Sequence, residues 1–260
     1  MFRRITPDHR VYLLIHVLLF VSGLAIAQTG GPIRIAIGTS VSATGVCGWA
    51  IYFWIRVTDN STQALARIRQ IGIIDAFPAR SVPIRPEYER RFNAARDQID
   101  FLGFGLRALR EDFGDSFSAW LNHTRIRVLL VDPEAPSSEL TYADQRDREE
   151  GNSHGAIRND VTQFLAFMTP LVNKYPKNLR IRLYCCMPAI NVCRIDNEIF
   201  WGPYILGEQS RNTPTFLIDR SGIMYSVLAR HYEEIWENSD HSRAAYVFSN
   251  DTGLYEPAIH

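Results

Sequence analysis

The chain lacks the excess of basic residues that is typical of nucleic-acid-binding domains and the paired cysteine spacing that is typical of structural zinc sites. Its only lysines are Lys174 and Lys177, and residues 57–260 contain 23 basic against 27 acidic side chains. A domain that binds nucleic acid neutralises phosphates with an excess of positive charge, so we expect no nucleic-acid partner. The four cysteines do not show the paired spacing of a structural zinc site. We therefore expect free thiols in a reducing compartment, no metal ion and no cofactor.

Charge is also absent from two long stretches near the N-terminus, residues 11–27 and 35–55. A helix needs about 20 apolar residues to cross the hydrocarbon core of a bilayer. The second stretch meets this length and the first reaches it with its flanks, which predicts a two-helix transmembrane hairpin over residues 1–57. The basic residues that flank the pair are Arg3, Arg4, Arg10 and Arg56. By the positive-inside rule they place both ends in the cytoplasm, so we expect a multi-pass protein of the inner cell membrane with a cytoplasmic domain.

A cleaved leader is an alternative for the first stretch. Ala25-Ile26-Ala27 before Gln28 is typical of a signal-peptidase site after a basic start and an apolar core. The second stretch would still span the membrane in that case.

Small residues recur along the second apolar stretch. Ser40, Thr44 and Gly48 are spaced by four, with Gly38 and Ser42 beside them. Such a stripe lets two membrane helices approach closely, which predicts a homo-oligomer within the lipid bilayer. The same residues also fit the ordinary composition of a membrane helix.

The remainder of the chain alternates strand and helix signals, which predicts an α/β sandwich with a mixed sheet. Residues 58–240 are assigned to one cytoplasmic domain, and residues 241–260 to a tail without a clear pattern. Residues 133–155 are polar and charged, which is typical of a mobile surface loop. The predicted strands are 71–77, 99–104, 126–131, 181–186, 192–200 and 215–218, and the predicted helices are 87–98, 113–122, 160–173 and 222–237.

The order of short motifs between Gly72 and Ile218 resembles a family of bacterial domains that are similar to degenerate phospholipase D modules. The motifs are Gly72-Ile73-Ile74 with Arg80 downstream, Ile99-Asp100-Phe101-Leu102-Gly103, Arg127 to Pro133, Leu179 to Tyr184, Arg194-Ile195-Asp196-Asn197 and Gly202-Pro203-Tyr204. The resemblance implies a phospholipase D-like α/β sandwich with a mixed sheet.

Active members of that family carry His-x-Lys followed by four residues and Asp. The histidine attacks phosphorus and the lysine neutralises the phosphoryl oxygens. If Asp196 matches the aspartate, Ala189 stands at the histidine position and Asn191 at the lysine position. No histidine anywhere in the chain is followed by lysine two residues later. The resemblance therefore implies a pseudoenzyme with no catalytic residue.

A ligand site is still expected where open α/β sheets hold ligands, at the carboxyl ends of the strands. Arginines can meet a phosphate with two parallel hydrogen bonds, and glycines can present backbone amides to an anion. Each arginine also has a plain alternative as a solvated surface residue. The candidate ligand-binding residues are Arg80, Gly103, Gly105, Arg107, Arg182, Asn191, Arg194, Asp196 and Tyr204.

A dinucleotide-binding domain is a second hypothesis. Gly103-Phe104-Gly105-Leu106-Arg107-Ala108 fits G-x-G-x-x-A after a strand, and Asp132 ends the next strand, where an acid would hold a ribose hydroxyl. A membrane-tethered phosphodiesterase acting on lipid phosphates and a scaffold that recruits a protein are two further alternatives.

A non-catalytic sensor is the function that these patterns favour. The cytoplasmic domain would bind a phosphate-bearing ligand such as a nucleotide and control the assembly of the membrane helices. An anchor of two helices fused to a sensor is similar to the layout of cell-suicide effectors in antiviral phage defence, which is an argument by analogy.

N-terminal sequencing of the purified protein tests the hairpin. We expect the chain to begin at its original N-terminus, because the first apolar stretch is retained as a membrane helix. Gln28 as the first residue would show that a signal peptidase removes that stretch.

Overall fold

The computed structural model describes residues 9–80, 84–187 and 189–258, and it divides the chain into two compact units, Met1–Arg67 and Ile68–His260. Arg3 and Arg4, on which the predicted orientation partly depends, lie outside the described residues. The unit boundary falls ten residues after the predicted end of the hairpin at residue 57, because the second helix continues beyond its apolar part.

The first unit consists of two helices that are long and apolar enough to cross a bilayer. They are α1, His9–Gln28, and α2, Pro32–Ile71. Their apolar spans are Val11–Gln28 and Pro32–Arg56, of which only 6% and 17% are buried. Neither span is therefore the core helix of a soluble domain. Gly30 and Gly31 adopt positive φ angles of 77° and 89° between the helices, a conformation that glycine reaches without a steric penalty.

Small residues bring α1 and α2 of one chain together. A Cβ atom on Gly38 would lie 2.5 Å from the backbone nitrogen of Ala27, and one on Gly48 would overlap the ring of His16. Ser42 donates a hydrogen bond to the carbonyl oxygen of Phe20 at 3.3 Å. These residues were predicted to join two copies, but they pack inside the hairpin, where close backbone approach needs small side chains.

Ser40 and Thr44, the other two residues of that stripe, are exposed on α2. Their hydroxyl groups donate to the carbonyl oxygens of Ala36 and Ser40, one turn back along the helix. This part of the stripe remains available to a second copy.

The second unit is built on a large mixed sheet, in agreement with the predicted α/β class. Among the described residues it has eight strands in the order β1-β7-β6-β5-β2-β3-β4-β8. Strands β2, β3 and β4 are parallel, and every other neighbouring pair is antiparallel. The strands are β1 Ile73–Phe77, β2 Gln98–Gly103, β3 Arg125–Val131, β4 Leu179–Tyr184, β5 Ile190–Ile195, β6 Glu198–Pro203, β7 Thr215–Asp219 and β8 Ser242–Ala244.

Helices cover both faces of this sheet. Phe101 of β2 packs on Phe92 and Phe117, whereas its neighbour Asp100 points toward α8. Since successive side chains of a strand point to opposite faces, α3 and α5 lie on one face and α8 on the other. The helices of the unit are α3 Arg85–Ala94, α4 Arg107–Phe113, α5 Phe117–Leu121, α6 Tyr142–Glu150, α7 Ala156–Lys174 and α8 Ile223–Glu237.

Two segments without predicted structure are ordered. The predicted loop 133–155 contains α6, whose N-terminus is capped by Thr141 accepting the Asp144 N–H at 3.0 Å. Residues 241–260, assigned to a tail, contribute β8 to the sheet and form a hairpin of β9, Tyr246–Ser249, and β10, Leu254–Pro257. Helix α6 was missed because its charged side chains, including the buried Arg146 and Asp147, hide any apolar period.

The segment 192–200, predicted as one strand, is the hairpin of β5 and β6. Asp196 makes the turn, with a φ of 48° that non-glycine residues rarely adopt. Its carboxylate accepts the backbone N–H groups of Arg96, Asp97 and Gln98 at 2.9, 2.9 and 3.0 Å. A single side chain thus connects this turn to the start of the central strand β2.

We expect Asp196→Ala to lower the free energy of unfolding by about 2 kcal/mol, because three backbone donors lose their acceptor. Urea unfolding of the full chain in detergent micelles, followed by tryptophan fluorescence, measures this. Asp97→Ala is the matched control: its side chain is 68% exposed in a surface ion pair with Arg125, which is worth at most about 1 kcal/mol. Equal stability of the two variants would contradict the proposed role of Asp196.

Candidate functional site

The strand order brings distant parts of the chain to one end of the sheet. Gly103 ends β2, and the antiparallel pairing of β5, β6, β7 and β1 places the start of β5 and the end of β6 at that same end. The start of β7 and the end of β1 also lie there, because Phe77 pairs with Thr215. Arg80, Asn191 and Tyr204 therefore meet at the carboxyl ends of the parallel strands, where the crevice was predicted.

Arg80 is half-buried at this end of the sheet. Its Nη2 atom donates to Thr213 Oγ1 at 2.8 Å, and its guanidinium lies 5.8 Å from the centre of the Tyr204 ring. Its Nε atom is buried and has no hydrogen-bond partner within residues 9–80, 84–187 and 189–258. Among the described residues no carboxylate forms an ion pair with Arg80. We call Arg80, Asn191, Tyr204, Thr213 and Thr215 the Arg80 cluster.

Neutral polar groups surround this cation on one face of the sheet. Asn191 is buried and its Nδ2 donates to the Gly202 carbonyl oxygen at 2.6 Å. A Cβ atom on Gly202 would lie 3.2 Å from Asn191 Nδ2, 3.3 Å from Arg80 Nη2 and 2.5 Å from the Pro214 carbonyl oxygen. Glycine at this position is what lets the two side chains lie so close. The register of β6 and β7 places Thr215 beside Gly202, and its buried Oγ1 atom has no hydrogen-bond partner in the described part of the chain.

Tyr204 closes the cluster with its ring. The ring meets Phe104 edge to face, with ring centres 4.7 Å apart. Burial raises the pKa of the Tyr204 phenol, and the nearby Arg80 and Arg146 only partly oppose this. The phenol therefore stays protonated at neutral pH and adds no negative charge beside Arg80.

The two glycines of the predicted anion site make room for protein side chains. A Cβ atom on Gly103 would lie 2.6 Å from Leu106 Cδ2, and one on Gly105 would lie 2.5 Å from Asp160 Cβ. Arg107 is exposed and pairs with Glu111 at 2.9 Å. Gly103 lies beside the Arg80 cluster in space, since a Cβ atom on it would be 3.6 Å from the Tyr204 hydroxyl oxygen. The contacts of all three residues are nevertheless with the protein itself.

Arg182 and Asp196 also hold protein partners. Arg182 donates to the hydroxyl and carbonyl oxygens of Ser242 at 2.8 and 2.6 Å, which attaches β8 to β4. Asp196 lies at the opposite end of the sheet, in the turn between β5 and β6. Neither is free for a ligand, so we leave both outside the candidate site.

Arg194 belongs to a buried ion cluster on the α8 face. Arg194, Asp100 and Arg127 stand side by side in register on β5, β2 and β3. Asp100 is fully buried and accepts from Arg194 Nε at 2.5 Å and Arg127 Nε at 2.8 Å. Glu233 of α8 accepts from the same two arginines at 2.6 and 2.8 Å. Arg194 thus has two carboxylate partners and lies outside the candidate site.

The ion cluster determines the protonation of Glu233. Burial alone would raise the pKa of Glu233, but hydrogen bonds from Arg127 and Arg194 outweigh it and lower the pKa to about 2. The ring of Tyr232 lies 5.0 and 5.6 Å from the two guanidinium groups, so the cations also face an aromatic surface. The cluster is a structural connection between α8 and three strands.

The dinucleotide hypothesis does not fit this geometry. Asp132, which would hold the ribose, is buried and accepts hydrogen bonds from Arg243 of β8. The space beside Gly105 is filled by Asp160, where the close approach of a pyrophosphate would be needed. Asp132 and the space beside Gly105, which the motif would use to bind the dinucleotide, are therefore both occupied by contacts within the protein.

Metal and thiol chemistry have little support in the part of the chain that the structure describes. It contains no group of three or more His, Cys, Asp or Glu residues that could hold a metal ion. All four cysteines there are free, and burial raises the pKa of the Cys186 and Cys193 thiols.

No protein-family model and no curated protein matches this chain. Several solved structures resemble it over part of the fold, and two of them illustrate the degree of similarity. One is TrmBL2, an archaeal chromatin protein described as showing a novel mode of DNA binding, with a TM-score of 0.44, 12% identity, and coverage of 79% of this chain and 70% of that one. The other is phosphatidylserine synthase from Haemophilus influenzae Rd KW20, with a TM-score of 0.39, 11% identity, and coverage of 60% of this chain. This chain spans 36% of that synthase, and neither protein's activity transfers to it at such identity.

We expect acid to remove the stabilisation that Glu233 provides. Its folded pKa of about 2 lies below its usual value of 4.5, so the stabilisation is complete above pH 4.5 and is lost as the pH falls toward 2. Glu233→Gln should therefore be less stable at pH 7, by about 2 kcal/mol for one partner of a partly buried ion pair. Thermal unfolding of the full chain between pH 7 and pH 2 measures both effects.

The neighbouring Glu234→Gln is the control for this experiment, because Glu234 is exposed and accepts a hydrogen bond from Asn238 at 3.4 Å. If Glu233→Gln and Glu234→Gln unfold alike at pH 7, the ion cluster does not hold α8 on the sheet.

Proposed function

We propose that the chain is a membrane-anchored, non-catalytic binding protein. Its second unit would be a phospholipase D-like module without catalytic residues, which binds a phosphate-bearing ligand such as a nucleotide at the Arg80 cluster. The two apolar helices of the first unit support the anchor, and the large mixed sheet is compatible with such a module.

The observation that carries this proposal is the incomplete coordination of Arg80. Other buried arginines of the same unit, Arg91, Arg146 and Arg194, each bond to two carboxylates. Arg80 makes one hydrogen bond, to a threonine hydroxyl, and has no carboxylate partner among the described residues. Because an unpaired cation in a partly buried position is costly, an anion from solution would supply the missing partner.

The groups around Arg80 suit an anion held mainly by neutral donors. Asn191, Thr215 and Tyr204 carry an amide, a hydroxyl and a protonated phenol, and none of them repels a phosphate. Glu150, an acidic side chain whose charge acts on Tyr204, is already bonded to Arg146 and Ser210. The cluster therefore keeps a net positive charge.

The positions of the lysines support a non-catalytic role. Lys174 ends α7 and Lys177 precedes β4, so both lie near the amino ends of the parallel strands. The family's mechanism needs a lysine beside the phosphoryl group, and the corresponding position at the Arg80 cluster is Asn191. At this position the chain lacks the lysine that a phosphodiesterase of that mechanism needs, and Asn191 cannot supply the positive charge.

The link from ligand binding to membrane-helix assembly and the role in phage defence stay predictions. Support for assembly is limited to the exposed Ser40 and Thr44 on α2, which a second copy could contact. Nothing in the Arg80 cluster depends on this link, so the binding activity can be tested separately.

We expect inorganic phosphate and nucleotides to raise the melting temperature of the full chain in detergent micelles. A ligand that binds only the folded state, at 100 times its dissociation constant, adds about 2.7 kcal/mol of stability. Arg80→Gln should abolish the shift because it removes the charge and the paired donors. Differential scanning fluorimetry with phosphate and with cyclic and linear nucleotides measures this.

Arg211→Gln is the matched control, since Arg211 is exposed near the same end of the sheet and donates to Gln209 at 2.9 Å. It should keep the shift. Equal shifts in wild type and Arg80→Gln would place the anion elsewhere, and no shift with any ligand would favour a protein-recruiting scaffold.

A further inference from the structure

A loop of irregular structure supplies both protein contacts of the Arg80 guanidinium. This loop, residues 204–213, joins β6 to β7 and is called the 204–213 loop below. Tyr204 begins it and provides the aromatic ring, and Thr213 ends it and provides the hydroxyl acceptor. The position of Arg80 therefore depends on what holds this loop.

Arg146 of α6 holds the middle of the 204–213 loop. Its Nη1 atom donates to the Ile205 carbonyl oxygen at 3.1 Å, and its Nη2 atom donates to the Glu208 carbonyl oxygen at 3.0 Å. Its guanidinium centre lies 5.2 Å from the centre of the Tyr204 ring. The side chain is only 2% exposed, so these are interior contacts and not a surface ion pair.

Glu150, one turn further along α6, holds the end of the loop. It accepts the Arg146 Nε–H at 2.9 Å, the Ser210 backbone N–H at 3.0 Å and the Ser210 hydroxyl. The Ser210 carbonyl oxygen in turn accepts the Thr213 hydroxyl at 2.9 Å. Because the Thr213 proton points to Ser210, its oxygen lone pair is left to accept from Arg80.

We infer that Arg146 and Glu150 are positioning residues for anion binding at Arg80, which rests on the function proposed above. They do not touch the guanidinium of Arg80. They fix the 204–213 loop so that Tyr204 and Thr213 hold Arg80 in one orientation before the anion arrives. Such preorganisation raises affinity, because the loop and the side chain lose less freedom on binding.

The planar fork of arginine is essential to this role. Arg146 bonds two loop carbonyls and two carboxylates at once through separate N–H groups. A lysine at this position keeps the charge but has a single nitrogen, which cannot reach all four acceptors. Arg146→Lys therefore removes hydrogen bonds that hold the 204–213 loop while it leaves the positive charge in place.

The test is the dissociation constant for inorganic phosphate, measured by calorimetry on the full chain in detergent micelles. We expect Arg146→Lys to weaken binding about tenfold, the effect of one or two lost hydrogen bonds. Arg91→Lys is the matched control, because Arg91 is 10% exposed and bridges Glu87 and Glu198 without contacting the 204–213 loop. Arg91→Lys should lower the stability of the fold but leave the affinity for phosphate equal to that of the wild type.

A second measurement does not depend on phosphate binding. Phenylglyoxal modifies accessible guanidinium groups, and mass spectrometry can follow its reaction with Arg80. We expect Arg80 to react faster in Arg146→Lys than in the wild type. In Arg91→Lys the reaction rate of Arg80 should equal that of the wild type. If the wild type binds no phosphate but Arg80 reactivity still rises in Arg146→Lys, the proposed function fails and the positioning role stands.

Unchanged affinity and unchanged Arg80 reactivity in Arg146→Lys would overturn the inference, as would equal changes in Arg146→Lys and Arg91→Lys. Glu150→Gln is the second variant if Arg146→Lys does not fold. It keeps the shape of the side chain and weakens the bonds to Arg146 and Ser210, so we expect the same changes at smaller size.

Discussion

The second unit depends on the neutralisation of charge inside its sheet. Asp100 stands in the centre of the buried strand β2, where an unpaired carboxylate would be too costly to fold. The registers of β3 and β5 place Arg127 and Arg194 on either side of it, and Glu233 of α8 balances the second positive charge. This arrangement is satisfied in one register only, because a shift by one residue would turn each charged side chain to the other face.

Two further buried arginines of the unit, Arg91 and Arg146, follow the same rule, and Arg80 differs from them. Arg91 connects α3 to β6 through Glu198, and Arg146 connects α6 to the 204–213 loop with Glu150 as its partner. In each case a buried cation has a carboxylate close by and holds two elements together. Arg80 is half-buried, has an aromatic neighbour and forms no ion pair with a carboxylate among the described residues. It therefore differs from these arginines both in its exposure and in its partners.

The first unit depends on a different constraint. Between two helices in a bilayer the hydrophobic effect contributes little, and close packing of small residues takes its place. Gly38, Ser42 and Gly48 serve that packing within one chain, and Ser40 and Thr44 are the residues of the stripe that stay exposed on α2.

The sequence by itself determined the two apolar helices, the α/β class and most strands, because these follow from local runs and periods of apolar residues. It placed Arg80, Asn191 and Tyr204 near the carboxyl ends of the strands for the same reason. It did not distinguish Arg80 from Arg182 and Arg194, since an arginine's partner lies far away in the chain. Asp100, Thr215 and Arg146 were not predicted, although a charged residue within an apolar strand such as Asp100 was a usable signal. Only the tertiary structure decided which charges are paired, because ion pairs and hydrogen bonds depend on strand order and register, and local sequence does not specify these.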